Sequence, residues 1–192
     1  MYDEFRDRLV EKVKTTTVIG DPMDPKVNLG PLALERQAVL IKDQVRRAIS
    51  EGGATLIHGE IDLKMEDPEL AAGNYVDAMV LEGMNPESEI YKEEFFGPVF
   101  NLFKVHSSID AITLANKSEH GLAATVFTND ADKARAAAER LRVGMVFVNE
   151  MVASSSDFPS GGIKGSGFGR ECYHDGLLEI GNRKAIISKL KI

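Results

Sequence analysis

Cysteine occurs once in these 192 residues, at Cys172, so neither an intrachain disulfide nor a cysteine zinc cluster can form. A single thiol also fits a reducing compartment. Long apolar runs are missing: no stretch reaches the length that spans a bilayer, and the first residues read as helix rather than as a cleavable signal. These absences set the expectation of a soluble intracellular chain with no membrane partner, cytoplasmic in the first instance and with a mitochondrial location left open. Clustered Lys and Arg are scarce as well. The 23 basic and 30 acidic residues are mixed along the chain for a net charge of -7, which excludes a phosphate-binding surface and hence a nucleic-acid partner.

Several catalytic motifs are equally absent. His58, His106, His120 and His174 lie far apart with no metal-ligand spacing, so no metal site is expected. Ser154, Ser155 and Ser156 lack the G-x-S-x-G elbow of serine hydrolases. Cys172 and His174, two positions apart, do not face each other on a helix. The glycine-rich run Gly161 to Gly169 fails as a phosphate cradle. Counting from Gly165 and Gly167 the third fingerprint position is Arg170, the run lies in a long loop, and no Gly-Lys-Ser or Gly-Lys-Thr occurs. A close crossing of chains, which needs small residues, is the reading that remains.

What is present is an ordinary globular pattern. At 192 residues the chain fits one domain, or one domain with a small appendage. Tyr2, Phe5, Leu9 and Val13 recur at helical spacing among charged residues, so the chain opens with an amphipathic helix. Gly20-Asp21-Pro22, Asp24-Pro25 and Gly30-Pro31 then make an irregular loop. A second helix is expected over Leu34 to Glu51, with Leu34, Ala38, Ile41, Val45 and Ala48 on one face and Gly52-Gly53 ending it.

Beyond it come short apolar runs read as strands: Ala54–Ile57, Tyr75–Leu81, Val99–Val105, Ala124–Thr128 and Met145–Asn149. The polar stretch from Glu60 to Gly73 is a surface excursion. Ser107 or Ser108 caps a helix through Ala115, and Asn129 or Asp130 caps one ending near Arg142. Met145-Val146-Phe147-Val148 is continuously apolar, as strands of parallel sheets are. The fold class expected is therefore α/β: a layered, mostly parallel sheet flanked by helices. After a Ser- and Gly-dense loop and a short helical turn near Glu171 to Gly176, Lys184 to Ile192 reads as a terminal strand whose edge is free to pair with another chain.

Four ordered motifs carry a resemblance. Gly20-Asp21-Pro22 with Gly30-Pro31-Leu32, then Glu93-Glu94-Phe95-Phe96-Gly97-Pro98, then Phe147-Val148-Asn149, then Ser160 to Glu171 resemble the second half of the aldehyde dehydrogenase superfamily, over nearly the whole chain. Gly144 to Glu150 and Gly167 to Glu171 are most similar to the succinate-semialdehyde dehydrogenase branch. The resemblance implies the C-terminal part of a catalytic domain over residues 1–182, an oligomerisation strand over 183–192, and a homo-oligomer.

It also implies an NAD- or NADP-dependent oxidation of a small aldehyde, of the succinic semialdehyde type, to its acid. Glu94 would accept hydrogen bonds from the nicotinamide ribose hydroxyls, and Phe96 would pack near the nicotinamide ring. Ser154 would line the substrate tunnel and help hold a distal carboxylate; a loop serine bonded to its own backbone is the other reading. The family's nucleophilic cysteine, glutamate base and oxyanion asparagine fall upstream of Met1, so no catalytic residue is expected in this chain, and no activity from it alone. Ser160 stands where the family usually has Phe, which loosens the aromatic packing near the active site. A non-enzymatic assembly module that uses the same exposed edge is the alternative.

Overall fold

Residues 1–190 are described by the computed structural model, and they fall into two compact units, Met1–Lys104 and one beginning at Val105. The boundary lies within the span that the sequence treats as one partial domain.

In the first unit the central strand explains the layers. Three strands, β1 (Thr55–His58), β2 (Met79–Glu82) and β3 (Val99–Leu102), form a sheet in the order β1-β2-β3. β2 pairs antiparallel with β1, across an irregularity between Leu56 and His58, and parallel with β3 from Met79↔Val99 to Glu82↔Leu102. Met79, Val80 and Leu81 are wholly buried. Alternate side chains of a strand leave opposite faces, so an apolar run in the middle strand needs cover on both sides.

Both covers are helices. Met79 and Leu81 pack with Ala38, Ile41, Val45 and Ala48 of α2 (Glu35–Ser50). Ala78 and Val80 pack with Val13, Leu9 and Val10 of α1 (Tyr2–Thr16). Most of the helical spacing read from the sequence is thus the contact stripe of each helix, but Phe5 and Leu34, which that spacing includes, are exposed, Leu34 standing before the first residue of α2. α1 stops at Thr17, where the backbone turns extended and the Thr15 and Thr16 hydroxyls bond back to the carbonyls of Glu11 and Lys12. The run expected as a strand from Tyr75 pairs only from Met79; Tyr75 itself is buried and donates its hydroxyl to the Gly20 carbonyl at 3.1 Å, tying down the Pro-rich loop. A 3-10 turn, Glu89–Lys92, has no counterpart in the sequence reading and buries Ile90 in the α2 cluster.

The second unit holds α3 (Ser108–Lys117), β4 (His120–Gly121), β5 (Ala123–Val126), α4 (Ala131–Arg140), β6 (Met145–Val148), β7 (Ile163–Lys164) and α5 (Tyr173–Glu179). Ser107 caps α3 by accepting from the Asp110 amide at 3.1 Å; Asp130 caps α4 by accepting from the Asp132 and Lys133 amides, both at 3.1 Å. β5 and β6 pair in parallel through the α4 crossover, and β4 pairs antiparallel with β7. Among the described residues two of the four pairings between these strands are parallel, β2 with β3 and β5 with β6.

Among the described residues the expected terminal strand does not form: residues 183–188 carry no regular structure and 189–190 form a bend, while Lys191 and Ile192 lie outside the described residues.

Candidate functional site

The segment after the 3-10 turn starts with an extended Glu93, carries no helix or strand through Phe96 and bends at Gly97 and Pro98, and the exposure of its side chains alternates from Glu93 to Phe96. Glu93 and Phe95 are half-buried toward α2; Glu94 and Phe96 are exposed, Phe96 to 68%. Two opposite faces at a period of two residues are what an extended backbone produces. One face is the anchor and the other is presented outward.

The anchor is polar as well as apolar. Arg47 of α2 grips the Glu93 carboxylate with both terminal nitrogens, at 2.6 and 2.7 Å, while its Nε donates to Asp43 at 2.8 Å. Gln44, only 3% exposed, donates from Nε2 to the Glu93 carboxylate and to the Glu94 main-chain carbonyl, both at 3.1 Å. The Arg47 guanidinium, helped by the Gln44 amide, holds the Glu93 carboxyl below the usual carboxylate range against the opposing effect of burial. Glu93 in turn, with Asp43, raises the basicity of Arg47.

Phe95 adds the apolar contact to the α2 cluster, and Gly97 lies so close to Ile41 that a Cβ there would collide with the Ile41 methyl. Short bonds from the Gly97 amide to Phe95 and from the Val99 amide to Gly97, each 2.8 Å, then lead into β3.

The acidic pair of the sequence therefore divides into two roles. Glu93 is a structural clamp, and Glu94 is carried outward beside Phe96. A carboxylate and an aromatic ring exposed two residues apart suit a ligand that presents hydroxyl donors beside a flat ring. The residues missed from sequence are Gln44 and Arg47. The available signal was a polar Gln44 within the buried stripe Ile41, Val45 and Ala48.

In the second unit Ser154 is exposed in the loop after β6. The local bonds expected of a loop serine belong to its neighbours: Ser155 Oγ accepts from the Asp157 amide at 3.1 Å and Ser156 Oγ donates to Asp157 at 3.3 Å. The glycine-rich run is a crossing and not a cradle. A Cβ on Gly144 would strike the Gly161 carbonyl, and the Arg170 guanidinium holds the Gly162 and Gly169 carbonyls at 3.0 and 2.6 Å. Ser160 is buried and exchanges two 2.8 Å main-chain bonds with Glu171, so the position works through its backbone. Cys172 stands before α5 with a positive φ of 61°.

Among the described residues no group of His, Cys, Asp and Glu gathers as a metal site, and no helix is long and apolar enough to cross a membrane. An apolar groove of about 430 Å³ runs beside α1, lined by Leu9, Val13, Leu29, Pro98 and Phe100; Glu94 and Phe96 are not part of its wall.

Residues 1–186 match the model of the aldehyde dehydrogenase family, and the chain belongs to that family. It is 41% identical over 186 residues to a succinate-semialdehyde dehydrogenase [NADP(+)] of Deinococcus radiodurans, covering 97% of this chain and 37% of that protein. It is 40% identical over 182 residues to the succinate semialdehyde dehydrogenase [NAD(P)+] Sad of Escherichia coli, covering 95% of this chain and 38% of that protein.

Among solved structures, succinic semialdehyde dehydrogenase from Streptococcus pyogenes with NADP+ superposes with a TM-score of 0.83 at 36% identity, over 91% of this chain and 37% of the other. A betaine aldehyde dehydrogenase variant from Staphylococcus aureus with NAD+ gives a TM-score of 0.85 at 32% identity, over 93% and 35%. The α/β fold is thus that of aldehyde dehydrogenases, and the chain spans less than half the length of the relatives it matches.

Proposed function

We propose that these residues form the part of an NAD(P)-dependent aldehyde dehydrogenase that orients the nicotinamide end of the cofactor and one side of the substrate path, in an enzyme that oxidises succinic semialdehyde to its acid. The observation that carries this reading is the outward pairing of Glu94 and Phe96 on a segment clamped from behind. The cofactor supplies the hydride acceptor. Glu94 accepts from the ribose hydroxyls and fixes the angle of the ring; Phe96 lies against the ring and keeps water from one side of it. Ser154 donates to the distal carboxylate of the substrate. The relatives named for succinate semialdehyde support the substrate class, and the two cofactors stand as alternatives because the relatives and structural neighbours include NADP+ and NAD+ enzymes.

The covalent step needs a thiolate nucleophile and a carboxylate base. In our reading neither is supplied by these residues, Cys172 being a cap-position thiol in the second unit, so the chain alone does not turn over. The test is an assay of the purified chain with succinic semialdehyde and either nicotinamide cofactor. It should be run once alone and once with the chain replacing the matching residues of the Deinococcus radiodurans relative. We expect turnover only in the second case; turnover by the chain alone would refute the division of labour.

A second reading rests on a separate observation. Phe168, Leu177, Ile180, Ile186, Ile187 and Leu190 are all strongly exposed, and residues 183–188 form no strand. An assembly surface that joins copies of the chain would use them. Size-exclusion chromatography with light scattering decides this one, since a monomer at high concentration argues against it.

A further inference from the structure

The buried Gln44 amide does something that stability alone does not account for. Its Nε2 reaches two acceptors at 3.1 Å, the Glu93 carboxylate and the Glu94 carbonyl, which settles which end of the amide carries nitrogen. Its Oε1 is left buried with no hydrogen-bond partner. An unpaired buried acceptor is unfavourable, and a leucine at this point of the α2 stripe would bury as much surface without it. The residue keeps that disadvantage while holding the main chain of Glu94.

Arg47, three residues on and so on the same side of α2, makes the bidentate grip on Glu93, a geometry that a lysine cannot reproduce. Together the two α2 residues fix one side chain and one peptide carbonyl on successive residues. On so short a segment these two fixed points constrain the rotation of the backbone and hence the direction of the next outward side chains.

From this juxtaposition we infer that Gln44, Arg47 and Glu93 are positioning residues for the cofactor: they aim Glu94 and Phe96 without touching the ligand. The inference rests on the reading of Glu94 as the ribose acceptor. Arg46 is the natural control. It is the neighbour of Arg47 on the same helix and also pairs with a carboxylate, its Nη2 donating to both oxygens of Asp62 at 2.7 and 2.9 Å, yet neither bond reaches the segment. Loss of either arginine removes an ion pair of α2, so a role confined to holding the helix predicts that cofactor KM moves in neither variant.

The test compares Gln44→Leu, Arg47→Met, Arg46→Met and Glu94→Gln in the joined enzyme described above, reading KM for cofactor, KM for aldehyde, and kcat. Gln44→Leu and Arg47→Met should each raise cofactor KM about tenfold with aldehyde KM unchanged, Arg47→Lys should recover only part of this, and Arg46→Met should change neither. If Glu94→Gln raises cofactor KM while Gln44→Leu and Arg47→Met do not, the positioning claim fails and the ribose reading stands. If Glu94→Gln has no effect, the ribose reading itself fails.

Hydrogen exchange on the chain alone provides a decision independent of activity. The Gly97 and Val99 amides should exchange about tenfold faster in Gln44→Leu than in Arg46→Met, and equal rates overturn the inference.

Discussion

The two units of this chain are built from similar amounts of helix and strand, yet they differ sharply in what they bury. Among the described residues every buried apolar side chain except Ala137 lies before Val105. β2 is enclosed by a helix on each face, whereas β5 and β6 are a two-stranded parallel pair with only partly covered side chains, and neither α3 nor α5 buries a residue. Two-stranded sheets are marginal on their own, and parallel strands are ordinarily covered on both faces. The first unit therefore carries its own core, while the second carries apolar surface that calls for cover. The composition of the strands hides this difference, because Met145 to Val148 is as apolar as Met79 to Leu81 and only the neighbours differ.

Core truncations should separate the units most widely. Leu81→Ala, at a fully enclosed site, is expected to destabilise the first unit by about 3 kcal/mol in denaturant titration. Phe147→Ala removes a half-buried ring whose edge-to-face partner is Phe158, 6.0 Å away, and should cost only about 1 kcal/mol. Equal effects would break the comparison.

A smaller effect is expected at the clamp. Glu93→Gln should cost about 1 kcal/mol, a value kept low because the pair is roughly one-third exposed and screened by solvent. Since the folded carboxyl titrates below its unfolded value, this contribution is present above the ordinary carboxylate pKa and is lost as pH falls through the depressed folded value. Acid titration of the Glu93→Gln variant should accordingly show less loss of stability than the parent over that range. Asp130→Ala should fray only the start of α4, seen as faster exchange of the Asp132 and Lys133 amides. Its carboxyl is also held below the usual range, chiefly by the Lys133 amide, so acid should fray the same turn.

Much of the helical structure of both units was legible in the sequence. The stripe at Ala38, Ile41, Val45 and Ala48 became the α2 contact face, and Ser107 and Asp130 became caps, because those signals act over a few residues. The start of β2 was read four residues early, since Tyr75 to Ala78 has strand-like composition but spends its polar groups on the loop and on Asp77. β4 and β7 were missed because each is two residues long and exists only through the other.

At the site, Glu94 and Phe96 were reached through family motifs, and the structure adds the alternation that turns them outward. The partners of Glu93 were illegible: Gln44 and Arg47 lie nearly fifty positions away, and no local pattern announces a contact of that range.

The most direct measurement is cofactor binding by the Glu94→Gln variant of the joined enzyme, set beside its melting temperature. An exposed carboxylate turned outward should leave stability within about 0.5 kcal/mol of the parent, while cofactor KM rises about tenfold. An unchanged cofactor KM, or a stability loss as large as that of Glu93→Gln, would contradict the assignment of the two glutamates to opposite faces.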